Sequence, residues 1–144
     1  MKPPCIIIVR QILPAMRALI AKELVERHGL SRIAAARRMN LTPAAITQYL
    51  KEARGGKAVQ LLKRSKAVCE IVSDIADHLA KEEASVYDVL ESMCRACWAL
   101  RREGLLCGLH KEILPSLSES KGECRCLTIL SKLFEEEKEA GGGR

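Results

Sequence analysis

Apolar residues recur every three or four positions along most of this chain, and glycine, proline and hydroxyl residues punctuate the runs. Met16, Leu19, Ile20, Leu24 and Val25 mark an amphipathic helix from Ala15 to Arg27, stopped by His28-Gly29. Upstream, CIIIVRQIL is β-branched enough for strand or helix. The helical pattern that follows at once favours helix, with Pro14 opening or kinking the next turn. Leu61, Leu62, Val68, Ile71, Val72, Ile75 and Leu79 predict one long helix from Lys57 to about Glu83, its near-heptad spacing suited to pairing two copies. Val86, Val89, Leu90, Met93, Ala96 and Cys97 form the stripe of a further helix, capped by Ser85 and ended at Glu103-Gly104. The chain then reads as short and irregular through Leu114-Pro115 and SLSESKGE. A last amphipathic helix follows from Leu127 to Glu139, and then a glycine tail. An all-α fold is expected.

The stretch Ser31 to Arg54 carries the densest local information. Ser31 is placed to cap a short helix in which Ala35 and Ala36 leave room for a close crossing. Met39 closes that helix, and Asn40 stands where the chain must pass through a left-handed turn. Thr42-Pro43 starts a second helix, with a hydroxyl cap and proline at the first position. Ile46, Tyr49 and Leu50 fall on its inner face. Ala44, Ala45, Thr47, Gln48 and Lys51 are left outward. Two helices joined in this way are the arrangement that lays the second in a DNA major groove. Gln48 suits adenine and an alanine suits a thymine methyl. Thr42, Ala44, Ala45, Thr47, Gln48 and Lys51 are therefore the expected base readers. Arg32, Arg37, Arg38 and Arg54, with Lys57 beyond them, are the expected phosphate contacts. The bland alternative is a helical hairpin with a solvated charged face.

Charge distribution favours the nucleic-acid reading. Residues 1–60 carry 11 Lys/Arg against 3 Asp/Glu, while residues 61–144 carry 13 against 15. A basic head on a near-neutral body predicts binding of double-stranded DNA through the head. One recognition helix reads few bases, so a homodimer is expected. No apolar run is long enough for a bilayer, which argues for a cytoplasmic protein with no membrane partner. The division expected is a DNA-binding head at 1–56, a long dimerisation helix at 57–84, a cysteine-rich module at 85–140 and a disordered tail at 141–144. Nothing in the chain resembles a nucleotide-binding loop or a Ser/His/Asp arrangement, and it is not expected to be an enzyme.

Five of the seven cysteines fall in the last third, as Cys94-x2-Cys97-x9-Cys107-x2-His110-x13-Cys124-x-Cys126. Cys94 and Cys97 share one helix face, and the others come from two further segments, so the set could converge on a soft metal. Cys94, Cys97, Cys107 and Cys126 are the first choice of ligands, with Cys124 as replacement and His110 as a sixth possibility. Long intervals and a helical first pair favour an iron–sulfur cluster, [4Fe–4S] before [2Fe–2S], over structural zinc. Cys69 and His78 read as packing residues, His28 as a helix-end residue, and Cys5 has no assignable role.

LPAMRALIAKELVERHGLS followed by LTPAAITQYLK resembles the DNA-binding domain of archaeal helix-turn-helix regulators, including the one fused to archaeal thiamine-phosphate synthases. CRACWALRREGLLCGLHKEILPSL with CRCL is similar to stand-alone archaeal regulators that pair this head with a cysteine-rich tail. The resemblance covers about residues 4–56 and 85–128. It implies a transcription regulator whose cysteines hold a metal or cluster that sets DNA binding. Asn40 stands where the family has glycine, Cys124-Arg125-Cys126 is narrower than the family's pair, and nothing resembles the synthase domain.

Overall fold

The computed structural model describes residues 3–116 and residue 132, and among them every regular element is helical. The first helix, α1, runs over residues 5–27. It is α-helical at Cys5–Ile7 and Leu13–Lys22 and π-helical at Ile8–Ile12 and Glu23–Arg27. The first π stretch explains how the helix passes Pro14. The Leu13 N–H reaches back to the Ile8 carbonyl, so the hydrogen-bond ladder is already offset where proline has no N–H to give. Ile7, Ile12, Met16, Ile20 and Leu24 are buried along α1 and form the spine of the core. Gly29 ends the helix at φ 68, and the Leu30 N–H returns to the Leu24 carbonyl.

Two short helices follow, α2 (Arg32–Met39) and α3 (Pro43–Glu52). Their ends are set as the residues dictate. The Ser31 hydroxyl accepts from the Ala34 N–H and the Thr42 hydroxyl from the Ala45 N–H, both at 3.1 Å, and Asn40 is left-handed at φ 53. Ala35, Ala36 and Ile46 are buried, and α3 packs across α1.

The single helix expected from Lys57 to about Glu83 is instead two helices, α4 (Lys57–Lys63) and α5 (Lys66–Ala80). Ser65 divides them: its hydroxyl accepts the Val68 N–H at 3.2 Å and donates to Glu103 at 3.0 Å. Capping a new helix and anchoring it to a later one outweighs the continuous apolar pattern. The residues expected to pair two copies, Leu62, Val68, Ile71, Val72 and Ile75, are buried in the chain's own core.

Ser85 starts α6 (Val86–Arg102) with a reciprocal capping box to Asp88. Ala96 and Leu100 of α6 are buried, whereas Val86 and Leu90, expected inside, are 73% and 52% exposed. After left-handed Gly104 the segment expected to be irregular forms a further helix, α7 (Leu105–Ile113), with Leu106, Leu109 and His110 buried. One hydrophobic cluster runs from Ile7 to Leu109, so the boundaries expected near 56 and 84 fall at turns without dividing the core. The SLSESKGE segment, Cys124, Cys126, the helix expected at Leu127–Glu139 and the tail at 141–144 lie outside the described residues.

Candidate functional site

The α2–α3 pair presents a mixed polar surface. Thr42, Ala44, Gln48 and Lys51 are exposed, as are Arg32, Arg37 and Arg54. Ala45 and Thr47 are half-buried. The Thr47 hydroxyl donates to the Pro43 carbonyl at 3.2 Å and accepts from the Arg32 guanidinium at 3.4 Å, so both side chains are partly committed within the pair. Arg38 departs further from its expected role. It forms an ion pair with Glu82, at the left-handed turn between α5 and α6, and so ties α2 to the body. This is a charge contact without hydrogen-bond alignment, since the paired nitrogen is buried and has no hydrogen-bond partner. Lys57 is likewise engaged, with Glu112 of α7 at 2.7 Å.

A second polar network fixes the end of α1 to α5. The Arg27 guanidinium bonds Glu23, reaches the Ser73 carbonyl and hydroxyl at 3.2 and 3.0 Å, and pairs with Asp77 at 2.5 Å. His28, expected only to end the helix, lies 2.8 Å from the same Asp77 oxygen. The Arg27 bond, opposed by desolvation and assisted by His28, holds Asp77 below the usual carboxylate range. The same contacts, from Glu23 and then Asp77, raise Arg27. Asp88 is also lowered, by its capping bonds to the Ser85 hydroxyl and backbone.

The expected metal ligands are less gathered than their spacing suggests. Cys94 is exposed on α6, and Cys97 and Cys107 are half-buried. Among the described residues no three His, Cys, Asp or Glu side chains come together as a metal site. The described donors therefore do not fit a closed zinc or iron–sulfur site by themselves. His110 is buried in the α7 core, not on a surface. Cys69 is exposed, with its thiol 3.8 Å from the carbonyls of Leu62 and Lys63 at the α4–α5 break. His78, also expected to be buried, is exposed and bonds the Asp74 carbonyl at 2.7 Å.

One thiol contact was not foreseeable. The Arg101 guanidinium lies 3.9 Å from the sulfur of Cys5, 96 positions away. Cys97 lies one helical turn before it on α6. Desolvation pulls Arg101 down, but the contacts with Cys97 and then Cys5 outweigh it and leave the guanidinium above its usual value. No local pattern signals this contact. The Ser65 cap, by contrast, had a readable signal in a hydroxyl three residues before Val68.

No family model matches the chain, and no curated protein or solved structure shows significant similarity to it.

Proposed function

We propose that this chain is a sequence-specific regulator that binds double-stranded DNA through a helix-turn-helix formed by α2 and α3. The observation that carries this reading is the surface of α3. Its inner side is anchored by Ile46, while Ala44, Gln48 and Lys51 are exposed, as are Arg37 and Arg54. Gln48 can offer a paired donor and acceptor to adenine, and Ala44 can approach a thymine methyl. Thr47 and Arg32 brace each other, so in this reading they position α3 and its flanking backbone. Arg38 acts through Glu82 and leaves phosphate contacts to Arg37, Arg54 and Lys51. The basic first 60 residues supply the long-range attraction.

A homodimer would give the second recognition helix that such a reader needs. Its contact surface would differ from the buried α4–α5 seam. Val86, Tyr87 and Leu90 of α6 are exposed apolar side chains that would supply it. The cysteine set Cys94, Cys97, Cys107, Cys124 and Cys126 is proposed to hold an iron–sulfur cluster, a soft-metal centre open to redox change. This assignment depends on Cys124 and Cys126 completing what the described thiols do not.

Fluorescence anisotropy against a randomised duplex pool, followed by selection of bound sequences, tests the reading. The expected result is a preferred site and an affinity that falls steeply with salt. Equal weak binding to every sequence would overturn it. Iron, sulfide and zinc assays on anaerobically prepared protein test the cluster. One zinc per chain and no iron would replace it with a structural staple that has no sensing role.

A further inference from the structure

A cavity of about 320 Å³ lies where α1, the end of α2, α5 and the start of α6 meet. Ile20 and Ile75 are buried where they line it, and Leu41, Leu79, Val89 and Met93 are half-buried. Among the described residues that line it none is aromatic or acidic, yet two are cationic, Arg17 and Arg38. We propose that this cavity binds one alkyl carboxylate, with the chain among the aliphatic side chains and the carboxylate on the arginines.

Size, wall and charge together define that chemical class. The volume stands at the lower end of small-molecule sites, which suits a single slender ligand. The wall includes Met39 and Met93, whose unbranched side chains adapt to methylenes, and it offers no ring on which an aromatic ligand would stack. The charge is unbalanced. Arg17 has no ion-pair partner among the described residues. Arg38 faces Glu82, but the Glu82 side chain is 71% exposed, and one Arg38 nitrogen is buried with no hydrogen-bond partner. A buried donor without an acceptor is costly until one is supplied. A ligand carboxylate supplies it through charge-assisted hydrogen bonds, the strong kind.

Val86 and Leu90 form the exposed part of the lining, and they belong to the α6 face offered above for a second copy. The two uses are separable, because a second copy seated there competes with the ligand as protein concentration rises. Met39, Asn40 and Leu41 carry the lining into the turn between α2 and α3, so a bound ligand touches the proposed helix-turn-helix. That consequence rests on the DNA-binding reading; the binding itself does not.

Calorimetric titration of the full chain with octanoate tests the site, with hexanoate, octan-1-ol and octylammonium as companions. Octanoate is expected to saturate at one per chain. Hexanoate, two methylenes shorter, should bind about 15-fold more weakly, at about four-fold per buried methylene. Octylammonium, which meets two like charges, should bind about ten-fold more weakly or worse. Methyl resonances of Met39, Leu79 and Met93 should shift with octanoate. Arg17→Gln or Arg38→Gln should weaken octanoate about ten-fold and leave octan-1-ol unchanged, a split that a merely structural role does not produce. Octylammonium binding as well as octanoate, shifts centred on Trp98 instead, or octanoate affinity that falls as protein concentration rises overturns the proposal. The wild-type ligand series decides this, so a variant that fails to fold does not obscure the answer. The titration contains no DNA, and its failure is therefore distinct from that of the DNA-binding reading.

Discussion

The α2–α3 pair and the α6–α7 pair are both helices joined by a tight left-handed turn, yet their outward faces differ. Residues facing away from the core on α3 are small, polar or cationic: Ala44, Gln48 and Lys51. On α6 apolar and sulfur-bearing side chains, Val86, Tyr87, Leu90, Cys94 and Trp98, are exposed among the charged Asp88, Glu91 and Arg95. The first face suits a hydrated, anionic partner whose grooves are read by hydrogen bonds. The second has apolar surface that water solvates poorly, and thiols that react with metals and disulfides. The two faces therefore belong to different kinds of chemistry, although one continuous core supports both.

The largest expected effect tests that shared core. Ile46 is fully buried where α3 meets the body, so Ile46→Ala should cost about 2–5 kcal/mol. Thermal unfolding should remain a single transition with a lower midpoint. Two transitions would mean that the head melts apart from the α6–α7 body. Next in size is Gln48→Ala, expected to weaken binding to the selected site by about 1–3 kcal/mol while leaving non-specific binding unchanged. Equal loss on all sequences would make the α3 face a phosphate grip alone.

Ser65→Ala is expected to destabilise by about 1–2 kcal/mol, since it removes both the α5 cap and a partner of Glu103. Denaturant titration reads this directly. A neutral result would mean that α6 does not depend on the α4–α5 break. The smallest effect concerns Asp77. Its folded state ionises below the usual range, so it stabilises the fold at neutral pH. That contribution is lost as pH falls below about 4, through its folded value. Asp77→Asn should cost at most about 1 kcal/mol at pH 7, because the pair is largely solvent-accessible, and almost nothing in acid. Stability curves across pH that stay parallel would show that the Arg27 network adds no linkage.

The two regions also differ in how far residues alone reveal them. Around α2 and α3 each signal acts within four residues: Ser31 on Ala34, Thr42 on Ala45, and Asn40 in its own dihedral angles. Such signals are readable because partner and cause are neighbours in sequence. Ser65 was equally local but was masked by apolar spacing that continues on both sides of it. The α7 helix was hidden by Gly108 in its middle, although Leu105, Leu106 and Leu109 carry the helical step. Around α6 the deciding contacts are distant. Arg38 is taken from the expected phosphate set by Glu82, and Cys5 is brought to Arg101 by the packing of α1 against α7. Spacing patterns hold no information about a contact across most of the chain.

The π stretch at Ile8–Ile12 sets the helical phase of everything before it. Each residue advances an α-helix by about 100°. A turn that closes five residues back instead of four accommodates one residue that a regular helix would have rotated past. Removing one residue from this stretch would leave Met16, Ile20 and Leu24 seated as they are and swing Cys5 about 100° around the axis, away from Arg101. The extra residue thus works as an angular spacer that lets one helix serve two partners, the α3 support at one end and Arg101 of α6 at the other.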